Sequence, residues 1–365
     1  MAKKILIVDD SALMRRMLCD IISTDDRFQV ADMAANGQEA LMLVTKNTYD
    51  LIVLDLLMPK MDGISFLKEM NRIGNRTKVV VSSSLAKEGA AITVEALSMG
   101  AIDFIKKPDG ILDVRGEKFK SLLLRILEEV AFEAKKSDKM PTAQSGHHPR
   151  LRSQGAGSEK RHKLAAAGSG RKIVAIASST GGPKALQEVI SHLPKGLDAP
   201  VLIVQHMPAG FTATLSERLD TLSPLRVCEA EEGMSVEKGN VYVARGGIHM
   251  TVIPDSKGNK IAFLDEPPRE GVKPCANYMY ESLMNCNYDS ITCVVLTGMG
   301  ADGTKGIAHL KKARKLYVIA QDEESCAVYG MPRSIVAAGL ADEVVPLGKV
   351  AEAIIRNVGV MKDGC

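Results

Sequence analysis

Residues Ala175–Gly182 read AIASSTGG. The apolar run IVAIA, from Ile173, ends in two serines. Thr180, Gly181, Gly182 and Pro183 follow, and then Ala185, Leu186, Val189 and Ile190 fall at helical spacing. A short apolar run, a Gly-rich turn and an amphipathic segment together predict strand, tight turn and helix. Open α/β sheets place their ligands at the carboxyl ends of such strands, beside helix N-terminal N–H groups that stabilise an oxyanion. The alternative is a βα turn capped by a serine hydroxyl, without chemistry.

The same strand–helix rhythm fills most of the chain. Between residues 1 and 125 the strand-like runs are ILIVD, FQVADMAA, LIVLD, KVVVSSS and DFIKK, and helical patterns lie between them. Five β/α units predict a doubly wound parallel sheet. Residues 126–170 hold the end of a last helix around Lys118–Lys135, then a Ser-, Gly-, Lys- and Arg-rich stretch with few large apolar residues, read as a flexible basic linker. His147, His148 and His162 in that stretch have no cysteine or carboxylate framework for a metal. From 171 to 365 the rhythm returns, with a strand-rich middle (NVYVARG, HMTVIPD, KIAFLDE), and predicts a second mostly parallel, Rossmann-like α/β domain.

Bulk properties narrow the function. The 365 residues are 45% hydrophobic and 25% charged, with a net charge of +3, ordinary for a cytoplasmic globular protein and too small for a nucleic-acid binder. No helix-turn-helix pattern is evident. The seven cysteines form no CxxC pair and read as reduced. The N-terminal apolar stretch runs into two aspartates, so it reads as a strand and not a signal peptide, and no run is long enough for membrane insertion.

Charged and polar residues fall at the strand ends of the first domain. Asp9 and Asp10 end the first strand, Asp55 the third, Ser82 the fourth and Lys107 the fifth. Converging carboxylates are costly without a cation, and hard oxygen ligands suit Mg2+. Lysine and a hydroxyl opposite them suit a phosphoryl group. These types fit phosphoryl transfer onto Asp55. ILIVDDS, LIVLDLLMPKMDG, VVVSSS and AIDFIKKP resemble a response-regulator receiver domain. The resemblance implies that Asp55 accepts phosphate from a histidine kinase, that Asp9, Asp10 and Asp55 hold Mg2+, and that Ser82 and Lys107 sense the phosphoryl group.

In the second domain Ser179, His206 and Asp302 each follow a predicted strand. The three types suit nucleophile, base and orienting carboxylate. Each alone also suits a cap or a turn. AIASSTGGP, QHMPAGFT, LTGMGADGTKG and IAQDEESCAVYGMPRS are similar to the catalytic domain of chemotaxis protein-glutamate methylesterases, which also carry a receiver. That resemblance implies Ser179, and not Ser178, as nucleophile, with His206 as base and Asp302 as carboxylate. It places Thr180 and Met299 at the oxyanion and His249 near the site. The implied substrates are glutamyl γ-methyl esters of chemoreceptors, hydrolysed without a cofactor. Hydrolysis of a receptor glutamine amide is left open. Arg245 stands where the family commonly has proline. Pro274-Cys275-Ala276-Asn277 replaces a Pro-Ser-x-Asp pattern. The implied regulation is a receiver that covers the Ser179 site until Asp55 is phosphorylated. A phosphorylation-dependent adaptor without catalysis is the competing reading.

Overall fold

The structure is a computed structural model and describes residues 2–83, 87–107, 116–132, 170–256 and 258–361. The 133–169 part of the linker, with its three histidines, lies outside them.

The first domain is built from β1 (Lys3–Val8), α1 (Ala12–Ile22), β2 (Phe28–Ala34), α2 (Gly37–Lys46), β3 (Leu51–Asp55), α3 (Gly63–Arg72), β4 (Lys78–Ser83), α4 (Lys87–Ser98), β5 (Asp103–Lys106) and α5 (Glu117–Phe132). Its sheet has the order β2-β1-β3-β4-β5, and every pairing is parallel. Strand β3, LIVLD, is buried along its whole length, as expected of a central strand covered by helices on both faces. Helix starts follow local chemistry. Ser11, Asn36 and Asp62 each accept a hydrogen bond from the backbone N–H three residues on, satisfying donors the helix cannot.

The second domain comprises β6 (Lys172–Ser178), α6 (Gly182–Ser191), β7 (Val201–Gln205), α7 (Phe211–Leu222), β8 (Arg226–Glu229), β9 (Asn240–Val243), β10 (His249–Asp255), β11 (Gly258–Leu264), α8 (Ala276–Ser282), β12 (Ser290–Val295), α9 (Thr304–Ala313), β13 (Leu316–Gln321), α10 (Met331–Ala337), β14 (Glu343–Val345) and α11 (Leu347–Val358). Seven strands form one sheet in the order β14-β13-β12-β6-β7-β9-β8. Its pairings are all parallel, while β10 and β11 form a separate antiparallel hairpin. Both domains are thus α/β with parallel sheets. The strand-rich middle read from the sequence divides: NVYV joins the large sheet, and HMTVIPD and KIAFL leave it as the hairpin.

The order β12-β6-β7 makes neighbours of three strands that are far apart in the chain. Residues that follow them therefore meet at one sheet edge. The turn after β6 needs its glycines. Gly181 has φ +76°, and a Cβ there would stand 2.5 Å from the Ala327 Cβ. A Cβ on Gly182 would stand 2.0 Å from Gln205 Oε1.

The two domains pack together. One apolar cluster runs from Leu97, Ala101 and Phe104 of the first domain into Ala185, Leu186, Phe211 and Leu215 of the second. The rings of Phe104 and Phe211 lie 4.6 Å apart, centroid to centroid. Such a pair contributes about 0.5–1.5 kcal/mol beyond its buried area.

Candidate active site and phosphorylation site

At the edge of the second sheet, His206 Nε2 lies 2.7 Å from Asp302 Oδ2, with both side chains nearly buried. Asp302 also accepts the N–H of Ala276 (2.6 Å), Asn277 (3.0 Å) and Gly303 (2.8 Å) and the thiol of Cys275 (3.0 Å). Burial alone would raise its pKa, but His206 and these donors outweigh it and hold the carboxyl below its ordinary value. Asp302 is therefore an anion at neutral pH, and the His206 Nε2–H that it accepts leaves Nδ1 as the basic nitrogen.

Ser179 sits between these two residues in strand order. Its N–H donates to Thr297 O at 3.0 Å, and a Cβ on Gly298 would come within 2.7 Å of its Cβ. Ser178, the neighbouring candidate, is fully buried, and its hydroxyl donates to Gln205 Oε1 at 2.7 Å. Ser179 is only partly buried. Among the described residues no side-chain hydrogen bond joins Ser179 to His206. The N–H groups of Thr180 and Met299 are engaged by no backbone acceptor among the described residues.

Gln205 has no counterpart in the sequence reading. It is buried, and its Nε2 donates to Ser179 O (2.9 Å) and His206 O (3.2 Å). It ties the two turns together from the end of β7. Its position directly before His206 was the available signal. Asn277, in the sequence only a departure from the family pattern, acquires a role: its Oδ1 accepts from the N–H groups of Gly303 (3.1 Å) and Gly306 (2.6 Å), fixing the start of α9 against α8. His249 is set back from the reacting groups. Its Nδ1 accepts the Cys275 N–H at 3.1 Å, and burial lowers its pKa. Arg245 is exposed and pairs with Glu229 at 3.2 Å.

The first domain covers this edge. Thr180 Oγ1 donates to Asp103 Oδ2 at 2.5 Å, and the Gly181 N–H donates to Ile102 O at 2.8 Å. Burial raises the Asp103 pKa, with the Thr180 hydrogen bond opposing it. Met299 packs against the apolar cluster of the first domain. A cavity beside it is lined by Glu128, Glu129 and Phe132 from α5 and by Gly300, Gly330 and Arg333.

At the first sheet edge, carboxylate oxygens of Asp9, Asp10 and Asp55 lie within 4.8 Å of one another. Lys107 Nζ is 2.8 Å from Asp9 Oδ2 and 2.7 Å from Asp55 Oδ2. Burial opposes the lysine's charge, but Asp55 and Asp9 prevail and raise its pKa. Burial raises that of Asp55, against Lys107. Ser82 pairs in register with Asp55, and its buried hydroxyl has no hydrogen-bond partner among the described residues. A cavity opens beside Asp55, lined by Leu56, Leu57, Ser83, Gly89, Ile92 and Lys107.

Residues 174–354 match the family model described as CheB methylesterase, and residues 5–114 match that of the response regulator receiver domain. A Syntrophomonas wolfei protein named protein-glutamate methylesterase/protein-glutamine glutaminase 1 is 40% identical, across 97% of this chain and 98% of its own. A Bacillus subtilis protein named protein-glutamate methylesterase/protein-glutamine glutaminase is 39% identical, with 97% and 98% covered. The solved Thermotoga maritima CheB methylesterase catalytic domain is 41% identical with a TM-score of 0.49, covering 51% of this chain and 97% of that one. The chain belongs to the CheB methylesterase family, with a response-regulator receiver domain at its N-terminal end. No helix among the described residues is long and apolar enough to cross a membrane.

Proposed function

We propose that this chain is a phosphorylation-activated protein-glutamate methylesterase acting on chemoreceptors through Ser179, His206 and Asp302. The observation that carries the reading is the buried His206–Asp302 pair, 2.7 Å apart, in the loops after the strands that flank the one preceding Ser179. The committed hydroxyl of Ser178 and the partial exposure of Ser179 support Ser179 as nucleophile.

His206 Nδ1 takes the Ser179 hydroxyl proton as Oγ attacks the carbonyl carbon of a glutamyl γ-methyl ester. The N–H groups of Thr180 and Met299 receive the oxyanion, each worth about 3 kcal/mol. The intermediate collapses, and methanol leaves with the proton from His206. Water, deprotonated by His206, then cleaves the acyl-enzyme and restores a glutamate carboxylate and the free serine. Asp302 fixes the imidazole tautomer and stabilises its charged form. The same steps on a glutamine side chain release ammonia, consistent with the double name of the relatives.

The receiver supplies control. Asp55 accepts a phosphoryl group from a histidine kinase. The set Asp9, Asp10 and Asp55 fits Mg2+, and Ser83, which lines the cavity beside Asp55 where Ser82 does not, offers a hydroxyl to a phosphoryl oxygen. Bound there, Mg2+ neutralises charge on the transferred group. Lys107, now between Asp9 and Asp55, turns to the phosphoryl oxygens. Strand β5 spans both sites, with Lys107 just past one end and Asp103 and Phe104 at the other, roughly 13 Å away at 3.3 Å per residue. A shift of β5 loosens the contacts to Thr180, Gly181 and Phe211 and uncovers Ser179. A switch from mostly closed to mostly open needs roughly 5 kcal/mol of differential stability. With chemoreceptor glutamyl esters as its substrate, the chain would do this work in the cytoplasm.

Methanol release from methylated receptor membranes tests the reading. Phosphorylated full-length chain should release it and Ser179→Ala should not. Equal release, or faithful receptor binding without any release, would favour the adaptor reading.

A further inference from the structure

Four of the five donors to Asp302 are backbone N–H groups or His206 itself. The fifth is a thiol. Cys275 Sγ lies 3.0 Å from Oδ1, and the side chain is fully buried. Burial and the adjoining Asp302 carboxylate push its pKa up to about 12, so the sulfur keeps its proton wherever an esterase works. The residue is held from behind as well. Its own N–H donates to His249 Nδ1, whose Nε2 lies 3.2 Å from Pro267 O, and the His249 ring faces Tyr278 with centroids 4.6 Å apart. The mechanism above uses neither Cys275 nor His249.

We propose that Cys275 is a positioning residue for ester hydrolysis, its S–H donating to Asp302 Oδ1 so that Oδ2 faces His206 with a moderated basicity. The proposal rests on the Ser179–His206–Asp302 reading. With the N–H groups of Asn277 and Gly303, the thiol completes three donors on Oδ1. An oxygen so engaged does not exchange places with Oδ2, and part of its charge is drawn toward the sulfur. Without the thiol the carboxylate is more basic, and the imidazolium that forms against it during turnover is more stable. The charged and titratable groups around this pair are Asp103 from the receiver, His249 from β10, Tyr278 and the buried Tyr280 from α8, and Arg269 and Lys273 from the loop before α8.

The test is the pH dependence of kcat/KM for methanol release by phosphorylated full-length chain, with Ser179→Ala as the blank. Cys275→Ala should move the acid limb upward by about 0.5 pH unit and lower kcat several-fold with KM unchanged. Cys275→Ser, which keeps a donor, should restore both. An unmoved limb in Cys275→Ala overturns the proposal, as does a Cys275→Ser limb displaced as far as that of Cys275→Ala, since volume would then be the cause. Wild-type release no greater than the blank overturns the esterase reading and this proposal with it, whereas an active enzyme with an unmoved limb overturns this proposal alone. If Cys275→Ala does not fold, the infrared S–H band lost from Cys275→Ser decides. A strongly hydrogen-bonded frequency that moves in Asp302→Asn is expected, and a free-thiol frequency overturns the proposal.

Discussion

Thr180 and Asp103 share a hydrogen bond of 2.5 Å across the two domains, although 77 residues separate them in the chain. Thr180 directly follows the candidate nucleophile, and Asp103 opens the strand that leads to Lys107. The contact thus joins the catalytic turn to the receiver at its phosphorylation-linked strand.

Removing that contact should favour the open form. A hydrogen bond to a charged group contributes about 1.5–3 kcal/mol, and the cost of burying the Asp103 carboxylate offsets part of it. Asp103→Ala should therefore raise ester hydrolysis by the unphosphorylated chain about three- to tenfold, with little change in the phosphorylated rate. Methanol release with and without phosphodonor measures both, and an unchanged basal rate would count against the closed-receiver model.

Closure should also weaken with rising pH. Burial raises the Glu129 pKa from 4.5 to about 7, with Asp103 and Glu128 adding and Arg125 opposing. An acid whose pKa is raised in the closed form costs nothing below its ordinary value and costs most above its raised one. The interdomain packing is accordingly tightest below about pH 4.5 and loosens up to about pH 7. The ratio of unphosphorylated to phosphorylated activity, which cancels the pH dependence of the chemical step, should rise across that window. Glu129→Gln should flatten the rise and lower the ratio at pH 8.

Asp302→Asn should abolish turnover and weaken the fold together. The amide no longer holds the imidazole in its working tautomer, for a loss of roughly 10³–10⁴-fold in kcat. An amide also cannot accept all the donors that converge on the carboxylate, so about 1–3 kcal/mol of stability should go. In the wild type the depressed pKa gives stabilisation that is present above the ordinary aspartate range and lost as pH falls through the lowered value. Methanol release and thermal unfolding against pH check the two effects separately. Retention of a tenth of the activity would remove Asp302 from the mechanism.

Chelation of divalent cations should abolish activation by a small phosphodonor while leaving the basal rate unchanged, because the carboxylates of Asp9, Asp10 and Asp55 stand only at the receiver's edge. Asp55→Asn should behave as the chelated protein does. Activation that persists in either case would place the phosphoryl site elsewhere.

Much of the architecture was legible because buried parallel strands write themselves as short apolar runs. LIVLD and IVAIA are buried throughout; the first ends on Asp55, and Ser179 lies two residues past the second. Strand-end position could therefore be counted off for Asp55, Lys107, Ser179 and His206, whereas the fourth strand ends one residue past Ser82, on Ser83. The choice between Ser178 and Ser179 could not be read from the residues, because it depends on Gln205, whose amide takes up the first hydroxyl. Asn277 and Cys275 were visible only as a departure from a resembling pattern. Their role at Asp302 arises from the packing of α8 against α9.

The sequence by itself determined two α/β domains and the residue types at their strand ends, because hydrophobic periodicity and turn residues act over a few neighbours. Tertiary structure decided which ends meet. The order β12-β6-β7 brings together Asp302, Ser179 and His206 in the loops that follow adjacent strands, and packing across the two domains sets Asp103 on Thr180. Sheet order and domain contact are fixed by burying large apolar faces against one another. The faces concerned, such as those carrying Phe104 and Phe211, lie more than a hundred residues apart, beyond the reach of any local pattern.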